Sequence, residues 1–356
     1  MTHTTTVRIS HTRKRKDVVV LGAFAILQAA LLGISSPIVT AFVATRYHHS
    51  QCHGASMTSL FAGTNESEER TTDISSNTIG MDFEDMGILQ NLVVASSLSY
   101  LSSEKDQSSN STSKMEESPY FSQQNLKALV QVVDPKTESG ATIFEYQTGD
   151  ERSIVVACRG SATPINFSTN LRFKLVPLVE ENEKGRFLVH EGFQDATNGL
   201  WKLLATKLEN LKSDYSRIVF TGHSLGAANA LLCATNYQRS NQNSDTNPPL
   251  SGVVTFGGPR LVNTALAENW NTDLMASVVV KNYVHALDPI LRQNGPLWDS
   301  LGFGIVGTEI PCEAYQPKAY HTQQEQEEYN KQDLPLAWNI LDHCNYLDVF
   351  VGPRLF

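Results

Sequence analysis

The stretch "VFTGHSLGAANALL", residues 219–232, decides how this chain is read. An apolar run enters it, and Gly222 and Gly226 sit two residues either side of Ser224. An alanine-rich, helix-favouring stretch leaves it. Gly-x-Ser-x-Gly between a strand and a helix is the pattern of a nucleophile elbow. A sharp turn lifts the serine hydroxyl clear of a sheet, and side chains at the flanking glycines would collide with strand and helix. The helix start behind Ser224 favours negative charge there. The bare motif is unspecific, so the surrounding pattern has to carry the reading.

Working outward, short apolar or β-branched runs predict strands at 141–146, 153–158, 217–221, 252–256 and 278–285. Helices are expected over 86–101, over 200–211 with a stripe of Leu200, Leu203, Leu204, Leu208 and Leu211, and over 227–237. Alternating strands and helices predict an α/β fold with a mostly parallel central sheet and helices on both faces. In such sheets the site lies at the carboxyl ends of the strands.

An activated serine needs a base, and the base needs an orienting acid. On this kind of fold the chain order is serine, acid, histidine. Asp288 is the favoured acid, because it follows the apolar run 278–285 and precedes Pro289; Asp245, Asp273 and Asp299 do not end a strand. His321 and His343 both lie beyond it. His343, within "LDHCNYLDVF", has apolar neighbours that suggest a packed site, whereas His321 sits in the polar "AYHTQQEQEE". The backbone N–H of Leu225, next after the serine, is one candidate oxyanion donor. A second donor is expected from a loop after another central strand, and "RGS" at 159–161 follows the run 153–158.

The whole chain agrees with an enzyme of this type. Its 356 residues suffice for one large α/β domain with extensions. With 28 basic against 37 acidic residues the net charge is −9, a poor balance for nucleic-acid binding. Arg13-Lys14-Arg15-Lys16 precedes apolar residues running to about 44, interrupted by Ser35-Ser36-Pro37. Residues 1–44 read as a secretory signal or as an uncleaved membrane anchor. In the cleaved case, Ala41-Phe42 followed by an acid-free stretch to Asn65 also suits the presequence of an alga with complex plastids. Residues 45–80 read as linker, and 102–119 as a low-complexity loop. His48, His49, Cys52 and His53 have metal-binding chemistry, but their place in a leader makes them a solvated run. Of five cysteines, Cys158 and Cys233 read as buried, and Cys312 with Cys344 is the one pair expected to form a disulfide.

These residues resemble the fungal-type class 3 triacylglycerol lipases. The matching pieces are "RGS" at 159–161, "VHEGF" at 189–193, "TGHSLGAANALL" at 221–232, "TFGGPRLVN" at 255–263, "VHALDPI" at 284–290, "GFGIVGTEI" at 302–310 and "LDHCNYL" at 341–347. They appear in the family's order, and the resemblance covers about 270 residues from Met86 to the end, within a domain expected over 81–356. The resemblance implies an α/β-hydrolase fold, a Ser224–Asp288–His343 triad, and an oxyanion hole from Ser161 and Leu225. His223 matches a family position and is expected to be structural. No cofactor or metal is implied. The partner would be a lipid substrate at an oil–water or membrane interface. Phospholipase A1, galactolipase and small-ester or feruloyl esterase are the rival activities, and a non-catalytic lipid-binding protein is the rival from another class. The family also implies a lid within 162–188, carried by apolar residues such as Ile165, Phe167, Leu171 and Phe173. Many members have Trp near Phe167. Asn166-Phe167-Ser168 is a glycosylation sequon, expected to be empty because a glycan there would obstruct lid movement.

Overall fold

The computed structural model describes residues 81–101, 125–162, 174–178, 186–211, 214–241, 247–285, 288, 302–312, 343–347 and 349–352. The expected leader (1–44), linker (45–80) and low-complexity loop (102–119), His321, and the expected lid residues Ile165, Phe167, Leu171 and Phe173 lie outside them.

In chain order the described elements begin with α1 (Met86–Ser99), β1 (Leu126–Val133), β2 (Gly140–Thr148), β3 (Glu151–Cys158), β4 (Leu175–Pro177) and β5 (Leu188–His190). Then come α2 (Glu191–Glu209), β6 (Arg217–His223), α3 (Leu225–Asn241), β7 (Leu250–Phe256), β8 (Val262–Asn263) and α4 (Thr264–Asn269). A π-helical turn (Trp270–Leu274), β9 (Val279–His285), β10 (Phe303–Gly304), β11 (Thr308–Cys312), β12 (Asn345–Tyr346) and β13 (Val349–Phe350) follow.

The main sheet has the order β1-β2-β3-β6-β7-β9-β11. From β3 to β11 every pairing is parallel, and β1 and β2 extend it antiparallel. This is the mostly parallel sheet the sequence predicted, and the five predicted strands lie within β2, β3, β6, β7 and β9, apart from Val278, which precedes β9. The central runs are apolar throughout because both faces are covered. On one face α2 and α3 pack with Leu200, Leu204, Phe220, Ala228 and Leu232. On the other, α1 packs with Val94, Leu98, Phe144, Val219 and Phe256, together with the β12–β13 hairpin.

Three features differ from the sequence reading. Strand β1 was not anticipated; it is an edge strand with a bulge between Ala128 and Val130 and a half-exposed middle, so it lacks the continuous apolar run of its neighbours. The leucine stripe of α2 is narrower than expected. Leu200, Leu204 and Leu208 are buried, while Leu203 is 38% exposed, because it falls about 100° round the helix from Leu204. Cys312 and Cys344 are free thiols rather than a disulfide. Burial pushes their pKa values up to about 11 and about 12, which withholds the thiolate that exchange chemistry requires. Cys158 and Cys233 are buried, as expected.

Part of the expected lid region is described. Leu175–Pro177 forms β4 and pairs with β5 in a small second sheet of order β10-β8-β5-β4. Leu178 is buried in the core and Val176 packs against it, so this end of the apolar strip is core rather than cover.

Leu204→Ala should cost about 2–5 kcal/mol of stability through the cavity it leaves, and Leu203→Ala less than about 1 kcal/mol. Urea denaturation of the two variants checks this; equal losses would contradict the packing described for α2.

Candidate active site

The parallel strands end side by side, and that common edge gathers the predicted residues. Cys158 on β3 is in register with Gly222 on β6, so Ser161 and Leu225 each lie three residues beyond one aligned pair. His223 aligns with Phe256 on β7, and Phe256 with Tyr283 on β9. Asp288 follows just beyond β9, where its N–H donates to the His285 carbonyl (3.1 Å).

The turn between β6 and α3 is strained and tightly enclosed. Ser224 has φ 57°, the left-handed region that non-glycine residues avoid. Its N–H donates to the Phe256 carbonyl (3.1 Å), and its own carbonyl accepts from Ala227 N–H (2.9 Å). A Cβ on Gly222 would lie 2.5 Å from the carbonyl carbon of Gly226, and one on Gly226 would lie 2.7 Å from that of Arg159. Each glycine is therefore required by backbone passing close to it: the incoming helix at Gly222, and the end of β3 at Gly226. From Arg217 to Thr235 every residue is buried except Ser224. The elbow thus delivers one accessible side chain out of a buried strand and a buried helix. Leu225 opens α3, where helix geometry leaves the first N–H groups without intrahelical acceptors.

Asp288 is fully buried and His343 nearly so. His343 Nδ1–H donates to Asp288 Oδ2 at 2.6 Å, a short, charge-assisted bond. That bond assigns the proton to Nδ1 and leaves Nε2 with its lone pair. His343 Nε2 is buried and has no hydrogen-bond partner among the described residues. The histidine borders the elbow: its ring lies 4.6 Å from the His223 ring, and a Cβ on Gly257 would lie 3.2 Å from it. The structure therefore brings the elbow, Asp288 and His343 to one strand edge, with Ser161 following the end of the neighbouring strand β3 and Leu225 next after the serine. Asp273, set aside on sequence, lies in the π-helical turn. Arg159 secures the approach to Ser161, with its N–H on the Gly140 carbonyl (2.8 Å) and its guanidinium on the Glu138 carbonyl.

His223 is the most constrained group around the site. Its Nε2–H donates to the His343 carbonyl (2.7 Å), and its Nδ1 accepts from the Tyr100 hydroxyl (2.8 Å). A carbonyl can only accept, so the Nε2–H tautomer is the one present. Burial, and secondarily the nearby His343, hold the His223 pKa well below its ordinary 6.5. Burial likewise pushes the Tyr100 phenol well above its usual range and keeps it a donor. Sequence reasoning overlooked Tyr100 and His285. Tyr100 sits just after a helix without a motif, and His285 reads in the sequence only as the end of a strand. Among the described residues no cluster of His, Cys, Asp or Glu could hold a metal.

A seven-stranded, mostly parallel sheet with the serine elbow after β6 is an α/β-hydrolase fold. The solved lipase of Rhizopus microsporus var. chinensis superposes with a TM-score of 0.53, covering 82% of this chain and 99% of that one at 21% identity. By sequence, a lipase of Rhizomucor miehei is 30% identical over 208 residues, 57% of this chain and 54% of its own length. Phospholipase A1-IIgamma of Arabidopsis thaliana is 27% identical over 186 residues, 46% of this chain and 42% of its own. The chain thus spans about half the length of these curated relatives. Residues 155–295 match the lipase (class 3) family model. The match takes in Ser161, Ser224, Leu225 and Asp288, whereas Tyr100 and His343 fall outside it.

The buried neutral His223 has a pH signature. The unfolded chain takes up a proton at this histidine near 6.5, and the folded chain only at lower pH. Between those values the unfolded state binds more protons, so the stability present above about 6.5 is lost as pH falls toward the folded value. Tyr100, His343 and Tyr346 face His223; none of them offers a negative charge that would favour its protonation. Urea midpoints measured from pH 7.5 to 5 should fall in the wild type and fall less in His223→Gln; parallel declines would refute this account.

Proposed function

We propose that this chain is a serine hydrolase of carboxylic esters in lipids, and specifically a triacylglycerol lipase. The observation that carries the reading is the elbow: Ser224 alone is accessible in a buried run of nineteen residues, and the preceding His223 packs 4.6 Å from the ring of a histidine whose Nδ1 is bonded to a buried carboxylate.

The geometry suits a two-step acyl transfer. Ser224 Oγ attacks the ester carbonyl while His343 Nε2 takes its proton. Asp288 holds the ring in the tautomer that keeps Nε2 available, and it stabilises the imidazolium that forms. Leu225 N–H, at the start of α3, and Ser161, three residues beyond the aligned end of β3, are the proposed donors for the oxyanion. His343 then returns the proton to the departing alcohol, and water, activated by the same nitrogen, releases the fatty acid. The residues require neither metal nor cofactor for these steps. The Rhizomucor relative supports acylglycerols as substrates. The similarity to a phospholipase A1 favours membrane glycerolipids as the second reading. Both place the substrate at a lipid interface, and the basic–apolar leader supports a route through the secretory pathway.

Ser224→Ala should fold normally by circular dichroism, resist labelling by a fluorophosphonate, and lose hydrolysis of p-nitrophenyl butyrate. Asp288→Asn should lower kcat by about three orders of magnitude or more. Activity retained in Ser224→Ala removes the nucleophile assignment. Initial rates on triolein emulsion, tributyrin, phosphatidylcholine and monogalactosyl diacylglycerol separate the substrate readings. The highest kcat/KM is expected on the triacylglycerols, and a preference for phosphatidylcholine would establish the second reading instead.

A further inference from the structure

We propose that His223 and His285 act together as positioning residues, clamping the backbone that carries His343 and so setting where its imidazole stands relative to Ser224. This rests on the reading of Ser224, Asp288 and His343 as nucleophile, acid and base.

The hairpin carrying His343 has little means of placing itself. Strands β12 and β13 are two residues each and share two aligned pairs, Asn345 with Phe350 and Tyr346 with Val349. A two-stranded ribbon of that size has no independent stability. Its position is set by bonds from the rest of the fold. His223 Nε2–H donates to the carbonyl of His343 itself at 2.7 Å. His285 Nε2–H donates to the carbonyl of Asn345, two residues on, at 2.6 Å. Two short bonds to carbonyls two residues apart fix both the place and the tilt of that segment. Ring contacts reinforce them, with His223 4.6 Å from His343 and His285 4.7 Å from Tyr346.

The origins of the two donors matter. His223 ends β6 and immediately precedes Ser224. His285 ends β9 and stands three residues before Asp288. The strand that delivers the serine and the strand that delivers the acid therefore each also hold the histidine's backbone. Any shift of either strand end carries the base with it, and the three groups keep their spacing. Tyr100 completes the device by occupying His223 Nδ1, which commits the other nitrogen to donation. A neutral histidine suits this task because it offers a directed N–H without a charge that would repel an imidazolium forming on His343.

A displacement of the base of about 1 Å can cost about 100-fold in rate, and lost struts should act through kcat rather than through binding. The test uses the full chain with Leu and Gln at each position, since Gln retains an N–H donor near the Nε2 place. Three quantities are measured: kcat and KM on p-nitrophenyl butyrate, the rate of fluorophosphonate capture by Ser224, and the melting temperature. His223→Leu and His285→Leu should each lower kcat about 10- to 100-fold with KM within about 3-fold, and slow capture in parallel. The Gln variants should recover to within about 5-fold of the wild type, and the double Leu variant should lose less than the product of the single losses, because both struts hold one segment.

Folded Leu variants with unchanged kcat and capture rate overturn the proposal. So do Gln variants as impaired as the Leu ones, since the donor would then not be what matters. Should a Leu variant fail to fold, the Gln variants and Tyr100→Phe carry the test. Tyr100→Phe frees the His223 tautomer and should lower kcat about 3- to 10-fold with KM unchanged; full activity in that variant refutes the clamp. A wild type that the fluorophosphonate does not label refutes the triad reading itself, and that result is distinct from any of these.

Discussion

Ser224 is held at φ 57°, and most of what surrounds it exists to keep it there. A non-glycine residue in the left-handed region costs on the order of 1–2 kcal/mol, a cost that persists only where the surroundings over-determine the conformation. Here they do. The Ser224 N–H is bonded to β7, its carbonyl is bonded within α3, and the backbone of β3 passes so close that only glycine fits at position 226. Relaxing the turn would break bonds to both neighbouring elements and open a buried strand and a buried helix. The strain is small beside those costs, so the hydroxyl stays raised above the sheet edge.

Around that point the polar groups are layered. Asp288 and His343 form the inner pair, both removed from water. Behind them His223 and His285 bond to backbone, and behind His223 stands Tyr100. Helix α1 extends this support. Its Ser97 hydroxyl donates to the Phe350 carbonyl (2.7 Å), and its Ser96 hydroxyl meets that of Thr221 (3.1 Å). This explains why α1 is buried almost all round and carries serines on inward faces, where an amphipathic surface helix would carry apolar residues. The helix is wedged between the sheet and the hairpin, and its hydroxyls join the two.

Much of this was legible in the chain because its causes are local. The elbow is a five-residue steric requirement, and Gly222, Ser224 and Gly226 state it outright. Strands covered on both faces advertise themselves by uninterrupted apolar runs, and Asp288 is legible because it closely follows one. What escaped depends on contacts made far along the chain. Strand β1 is half exposed at a sheet edge, so its pattern is mixed. Leu203 has the same chemistry as Leu204, and only the helix phase against the sheet tells them apart. The Cys312–Cys344 pairing was a count of cysteines, which carries no geometry. Tyr100 and His285 bond to groups 123 and 60 residues away, and nothing beside either residue announces it.

The bond between Ser97 and Phe350 spans 253 positions, and the two histidine struts span 120 and 60. Contacts of such separation form late, because the chain closes long loops before they offer any return. During synthesis the sheet from β1 to β7, with its serine already on the elbow, can assemble before the hairpin exists. At that stage Ser224 stands on its turn while the segment bearing His343 is still undocked. The bond between His343 and Asp288 therefore forms only when the β12–β13 segment docks, after the turn at Ser224 is already in place.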